Sequence, residues 1–185
     1  MNFGTLDLPP EVMQGIREAG FVTVTPIQEV ALPLALKGKD VAGQSQTGTG
    51  KTAAFLIAAF TRLLREPSRP PTGATAPRVL IIAPTRELVV QIEADAHLLG
   101  QFTGLSILAV YGGIDYQRQR QALADGCDVL VGTPGRLIDY LKQHVWSPRR
   151  VEVLVIDEAD RMFDMGFIAD LRFILRRLPS HEHRQ

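Results

Sequence analysis

The stretch Ser45-Gln46-Thr47-Gly48-Thr49-Gly50-Lys51-Thr52 narrows the possible folds more than any other part of the chain. It asks for a loop between a short apolar strand, Asp40-Val41-Ala42-Gly43, and a helix that starts at once with Ala53. Its glycines let the backbone amides of Gly48 to Thr52 curl around phosphate oxygens. A helix N-terminus behind them adds partial positive charge, and Lys51 adds a full one. Thr52 then offers a hydroxyl to Mg²⁺. The pattern G-x-x-x-x-G-K-[ST] is met by Gly50-Lys51-Thr52, with Ser45 in place of the first glycine. The competing reading is an ordinary glycine-rich turn between a strand and a helix.

The rest of the chain supplies the setting such a loop needs. Pro10-Glu11 with Val12, Ile16 and Ala19 predicts a first helix ending before Gly20, and Thr25-Pro26 opens a second that runs to Lys37. Ala53 to Leu64 is apolar on nearly every face and predicts a buried helix. Glu66 to Pro77, rich in proline, reads as a surface loop. Four apolar runs follow, Arg78 to Ala83, Leu105 to Val110, Asp128 to Val131 and Val151 to Ile156, with helical patterning between them. Alternating strands and helices predict an α/β fold with a mostly parallel sheet and helices on both faces. Ligands of such sheets sit beyond the carboxyl ends of the strands.

The residues at those ends carry the chemistry. Asp157 and Glu158 leave the last run: Asp157 is placed to hold Mg²⁺ through its water shell, and Glu158 to polarise a water that attacks a phosphate. In isolation they would read as an acidic helix N-terminus. Pro84-Thr85-Arg86 and Thr133-Pro134-Gly135-Arg136 leave two other runs, each a helix start in which threonine caps and arginine forks onto phosphate oxygens. Gly112-Gly113 leaves a third and lets a backbone come close. Against this, each arginine alone is a solvated residue on a capped helix. The 20 basic and 20 acidic residues cancel, so attraction to nucleic acid has to come from local placement. The single cysteine, Cys127, leaves no internal disulfide and no ligand-spaced zinc set. With no leader-like start and no apolar run long enough for a bilayer, the expected setting is a soluble protein of the cytoplasm.

Thr25-Pro26-Ile27-Gln28, Ser45 to Thr52, Pro84 to Leu88, Gly112-Gly113, Thr133 to Arg136 and Asp157-Glu158-Ala159-Asp160, in this order, resemble the first RecA-like P-loop domain of a DEAD-box ATP-dependent RNA helicase. Val41 to Gln44, Gln46 to Thr52, Gly135 to Tyr140 and Arg161 to Ile168 are most similar to the bacterial RhlB type, which implies RNA degradosome components as partners and a role in RNA turnover. The resemblance implies ATP and Mg²⁺ as cofactors, RNA as partner, and local separation of short duplexes. It implies that Phe3, Thr25, Gln28, Gln46, Thr47, Gly48, Thr49, Gly50, Lys51 and Thr52 bind the nucleotide, with Gln28 reading the adenine edge and Phe3 stacking on the base. Lys51, Asp157 and Glu158 would be catalytic, and Thr52 and Asp157 the metal residues. Pro84, Thr85, Arg86, Gly113, Thr133 and Arg136 would hold RNA.

Ser45, Val24 and Val89 depart mildly from the family pattern. Residues 1–38 are expected to form an adenine-recognition region packed on a RecA-like core of residues 39–185. That core is expected to stop short of a Ser-Ala-Thr segment and of a second RecA-like domain, leaving the 185 residues nearly inactive alone. The rival is a nucleotide-gated RNA clamp or scaffold with negligible ATP turnover, which the presence of Glu158 disfavours.

Overall fold

The structure, a computed structural model, describes residues 2–46, 48–66 and 76–185. Thr47 and most of the loop expected over Glu66 to Pro77 lie outside the described residues. The chain divides into two compact units. One takes in described residues 2–66, 94–104 and Gln185, the other 76–93 and 105–184.

The second unit holds the sheet. Strands β1 (Val79–Ile82), β2 (Ile107–Val110), β3 (Val129–Gly132) and β4 (Val153–Ile156) are all parallel, in the order β2-β3-β1-β4. These are the four apolar runs of the sequence, three of them trimmed and the Asp128 to Val131 run shifted by one residue to end at Gly132. They read as unbroken runs because both faces of the inner strands are buried: Leu80 and Leu130 on one face, Ile81 and Val131 on the other, all at 0% exposure.

Leu80, Ile82 and Leu130 pack with Leu123 of α5 (Tyr116–Asp125), Leu137 and Leu141 of α6 (Pro134–Lys142), Met162 of α7 (Ala159–Asp164), Leu171 and Ile174 of α8 (Ile168–Leu175), and Trp146. The Trp146 indole N–H donates to the Leu137 carbonyl at 3.0 Å, so burying the ring leaves no orphan donor. At the entry to the sheet the buried Arg78 guanidinium forks onto Glu152, at 2.7 and 2.8 Å, tying the starts of β1 and β4. Burial and the neighbouring Asp128 push the Cys127 thiol up to about 12, which makes it an inert packing group.

In the first unit, α1 (Pro10–Glu18) and α2 (Pro26–Ala35) pack on α3 (Lys51–Arg65). Leu56, Ile57, Phe60 and Leu63 give α3 the buried character its composition predicts. α2 ends at Ala35, two residues sooner than the pattern suggests, and residues 36–38 turn. One expectation is overturned: Asp40 to Gly43 is not a strand, and residues 39–46 have no regular structure. A strand exists through its ladder partners, and none of the described strands pairs with this run. α4 (Arg86–Gly100) begins in the second unit and ends in the first.

Candidate nucleotide and RNA sites

The phosphate-type loop folds back on itself. Lys51, at the first turn of α3, donates its ammonium to the carbonyls of Ser45 and of Gln46, the latter at 2.9 Å. Thr49 Oγ1 lies 2.7 Å from the Gln46 carbonyl and 2.7 Å from Ser45 Oγ. The lysine charge is thereby centred over the loop whose amides lead into the helix, where an anion has both to meet. Gly50 closes the loop at φ 92°, a conformation that disfavours any side chain, and a Cβ there would come 2.5 Å from Gln28 Nε2.

That contact ties α2 to the loop. Gln28 is 3% exposed; its Oε1 accepts from the Thr25 amide at 2.9 Å, and its Nε2 donates to the Gly50 carbonyl at 3.0 Å. A carboxamide has two N–H groups and two acceptor lone pairs, so one of each is left for a ligand. The Thr25 hydroxyl is buried without a hydrogen-bond partner beside it. Phe3, expected to stack on a base, is 2% exposed and lies against Phe21, with ring centroids 6.4 Å apart. Its face is covered; the ring left open is Phe21, at 40% exposure. The sequence reading passed over Phe21 because an aromatic residue before a helix start has no distinctive spacing.

Asp157 and Glu158 are in the second unit, directly after β4. The Asp157 amide continues the ladder to Ile82 at 3.0 Å, and its Oδ1 accepts from the Glu158 amide at 3.0 Å, which fixes a carboxylate that is 9% exposed. Glu158 takes a left-handed backbone, φ 50° and ψ 49°, and its Oε2 pairs with Arg161 Nη1 at 3.2 Å. Neither the strained backbone nor the ion pair shows in the sequence. Thr52 and Asp157 offer hard oxygen donors. No cluster of three or more metal-ligating His, Cys, Asp or Glu side chains occurs among the described residues.

Three of the RNA candidates converge on one corner of the second unit. Arg86 opens α4 with its guanidinium over the Tyr111 ring at 5.5 Å, and its Nη1 would lie 3.0 Å from a Cβ on Gly113, where φ is 86°. Arg136, on α6, has Nη2 3.9 Å from the Cβ position of Gly112 and stacks over Tyr116 at 4.8 Å and Tyr140 at 5.4 Å. Any side chain on Gly113 would push Arg86 away. Thr85 caps α4 by accepting from the Leu88 amide at 3.3 Å, while Thr133 holds the cap position of α6 without using its hydroxyl. Pro84 is buried behind this surface. The sequence reading missed the tyrosines. All three of the chain, Tyr111, Tyr116 and Tyr140, gather here, and their bunching around Gly112-Gly113 and Arg136 was the available signal.

Residues 25–185 match the model of the DEAD/DEAH box helicase family. The chain is 54% identical, over its whole length, to the ATP-dependent RNA helicase RhlB of Xanthomonas oryzae pv. oryzae, covering 32% of that protein. It is 52% identical over 99% of its length to the same-named protein of Shewanella denitrificans, covering 42% of it. The chain thus spans roughly a third of the length of the relatives it matches. The crystal structure of the yeast DEAD-box splicing factor Prp28 is similar with a TM-score of 0.87 and 36% identity, over 96% of this chain and 43% of that one.

Proposed function

The chain belongs to the DEAD/DEAH box helicase family, and from that premise we propose that it is the ATP- and RNA-binding lobe of a bacterial ATP-dependent RNA helicase that opens short RNA duplexes during RNA turnover. The observation that carries the nucleotide reading is Gln28: bonded to both Thr25 and Gly50, it keeps one donor and one acceptor, the pair an adenine edge requires. The partnerless Thr25 hydroxyl adds a polar group beside it, and the open face of Phe21, backed by Phe3, offers a stacking surface.

In this reading Lys51 exchanges the carbonyls of Ser45 and Gln46 for phosphate oxygens, joined by the amides of Gly48 to Thr52. Thr52 and Asp157 would hold the metal, and Glu158 would orient and deprotonate the attacking water. Bound Mg²⁺ would neutralise charge developing on the phosphates. Arg86, Gly113, Thr133 and Arg136 grip the RNA backbone with Pro84 and Thr85 behind them, and a second RecA-like domain completes the protein. Degradosome components are the partners proposed from the RhlB relatives. No helix among the described residues is long and apolar enough to cross a membrane, and a cytoplasmic setting is proposed.

The test is titration of the full-length protein with ATP and GTP. ATP should bind more tightly by about 1–3 kcal/mol, the value of a good bidentate base contact, and Gln28→Ala should shrink the gap. Equal affinities would overturn the adenine assignment. The rival reading is a nucleotide-gated clamp in which Glu158 stays paired with Arg161 and activates no water. RNA-stimulated phosphate release decides between them, since a clamp shows none.

A further inference from the structure

Tyr140 is 0% exposed, and both functions of its hydroxyl are used. It accepts from Arg136 Nη1 at 3.1 Å and donates to the Tyr116 carbonyl at 3.0 Å. Phenylalanine would fill the same volume, so the core has no need of this oxygen, and a buried hydroxyl carries a penalty unless it is paired. What the oxygen joins is specific. Arg136 lies in the first turn of α6, and Tyr116 is the first residue of α5, which follows the Gly112-Gly113 corner. The two tyrosine rings, 5.1 Å apart, both lie against the guanidinium, and Gln143 Nε2 donates to the Tyr116 hydroxyl, fixing the outer ring in turn.

We propose that Tyr140, with Tyr116, is a positioning residue for RNA: the buried hydroxyl locks Arg136 and the start of α5 in one register, so that the guanidinium and the Gly112-Gly113 backbone meet a single strand as a preformed surface. The inference rests on the RNA reading of Arg136. An arginine stacked and hydrogen-bonded before binding loses little rotamer freedom when it takes a phosphate. With Nη1 committed to Tyr140, the edge carrying Nη2 remains on the Gly112 side for the ligand. The chemistry recognised is the phosphodiester backbone, which is sequence-indifferent.

The test is a double-mutant cycle on the full-length protein, read as the dissociation constant of labelled single-stranded oligouridylate with a non-hydrolysable ATP analogue. Tyr140→Phe should weaken binding by about five- to tenfold, the upper range of what one net hydrogen bond is worth. Tyr116→Leu, which leaves the buried hydroxyl in place, should weaken it by about two- to fivefold through the lost cation–π contact. In an Arg136→Ala background neither substitution should weaken binding further. A merely structural role would give the same loss in both backgrounds, and that result overturns the proposal. So does full affinity in both single variants while Arg136→Ala binds poorly; that outcome spares the RNA reading. Full affinity in Arg136→Ala overturns the RNA reading of Arg136 and the positioning role with it.

Discussion

Glu158 is held in a backbone conformation that costs a side chain on the order of 1–3 kcal/mol and persists only where the surroundings impose it. Here the ladder bond of the Asp157 amide to Ile82 and the Asp157 carboxylate on the Glu158 amide impose it. Its carboxylate leans on Arg161, whose side chain is mostly exposed, and such a pair is worth about 1 kcal/mol or less, so releasing Glu158 for chemistry costs little. Glu158→Gln keeps the shape and removes the base. In the full-length protein ATP binding should persist while RNA-stimulated hydrolysis falls by roughly 10²–10⁴-fold. Titration calorimetry beside phosphate release separates the two, and a parallel loss of binding would make Glu158 a ligand or a structural residue. At this scale Lys51, Gln28, Arg86 and Arg136 were legible as candidates, because their neighbours along the chain mark them. It left out what depends on spatial neighbours: the covered ring of Phe3, the Arg161 ion pair and the Tyr140 hydroxyl.

At the scale of elements, α1 meets the C-terminal end of α4 almost backbone to backbone. A Cβ on Gly15 would stand 2.0 Å from the Leu99 carbonyl oxygen and 2.9 Å from its carbon, and neither atom can rotate away. Helix propensity alone would make Gly15→Ala stabilising by up to about 1 kcal/mol, whereas overpacking costs about 1–3 kcal/mol, so the sign of the change decides which effect wins. We expect the melting temperature to drop by about 2–10 °C in scanning calorimetry; a rise would refute the close approach. The inner strands β1 and β3 were legible because burial on both faces writes them as unbroken apolar runs, and β2 and β4 because they too are apolar runs set between helical segments. Asp40 to Gly43, with only Val41 and Ala42 apolar, forms no strand, and ladder pairing is non-local, so a short run of this kind does not record it.

For the whole molecule, the sheet ends in two edge strands, β2 and β4, and β4 is the edge that leads into the carboxylates. β1 and β3 pair on both sides, whereas β4 pairs only with β1 among the described strands. Leu154, Val155 and Ile156 are accordingly half-buried where all four residues of β1 are buried. An apolar strand with one unpaired edge and no charged residue to blunt it is a template for another strand. It also leads directly into Asp157 and Glu158, so its order bears on the carboxylates. Because the relatives are two to three times longer than these 185 residues, we predict that a further strand of a longer chain pairs with β4. A second domain would supply an arginine that stabilises transition-state charge, a contribution of roughly 10³–10⁵ in rate in related phosphoryl-transfer systems. The 185 residues alone should then show little RNA-stimulated ATPase activity. A chain lengthened by one strand should melt higher and protect the β4 amides from hydrogen exchange, and the two-domain protein should turn over ATP. An equal melting temperature and equal β4 protection in the short and lengthened chains would rule out the strand. Robust RNA-stimulated turnover by the 185 residues would rule out the need for the second domain.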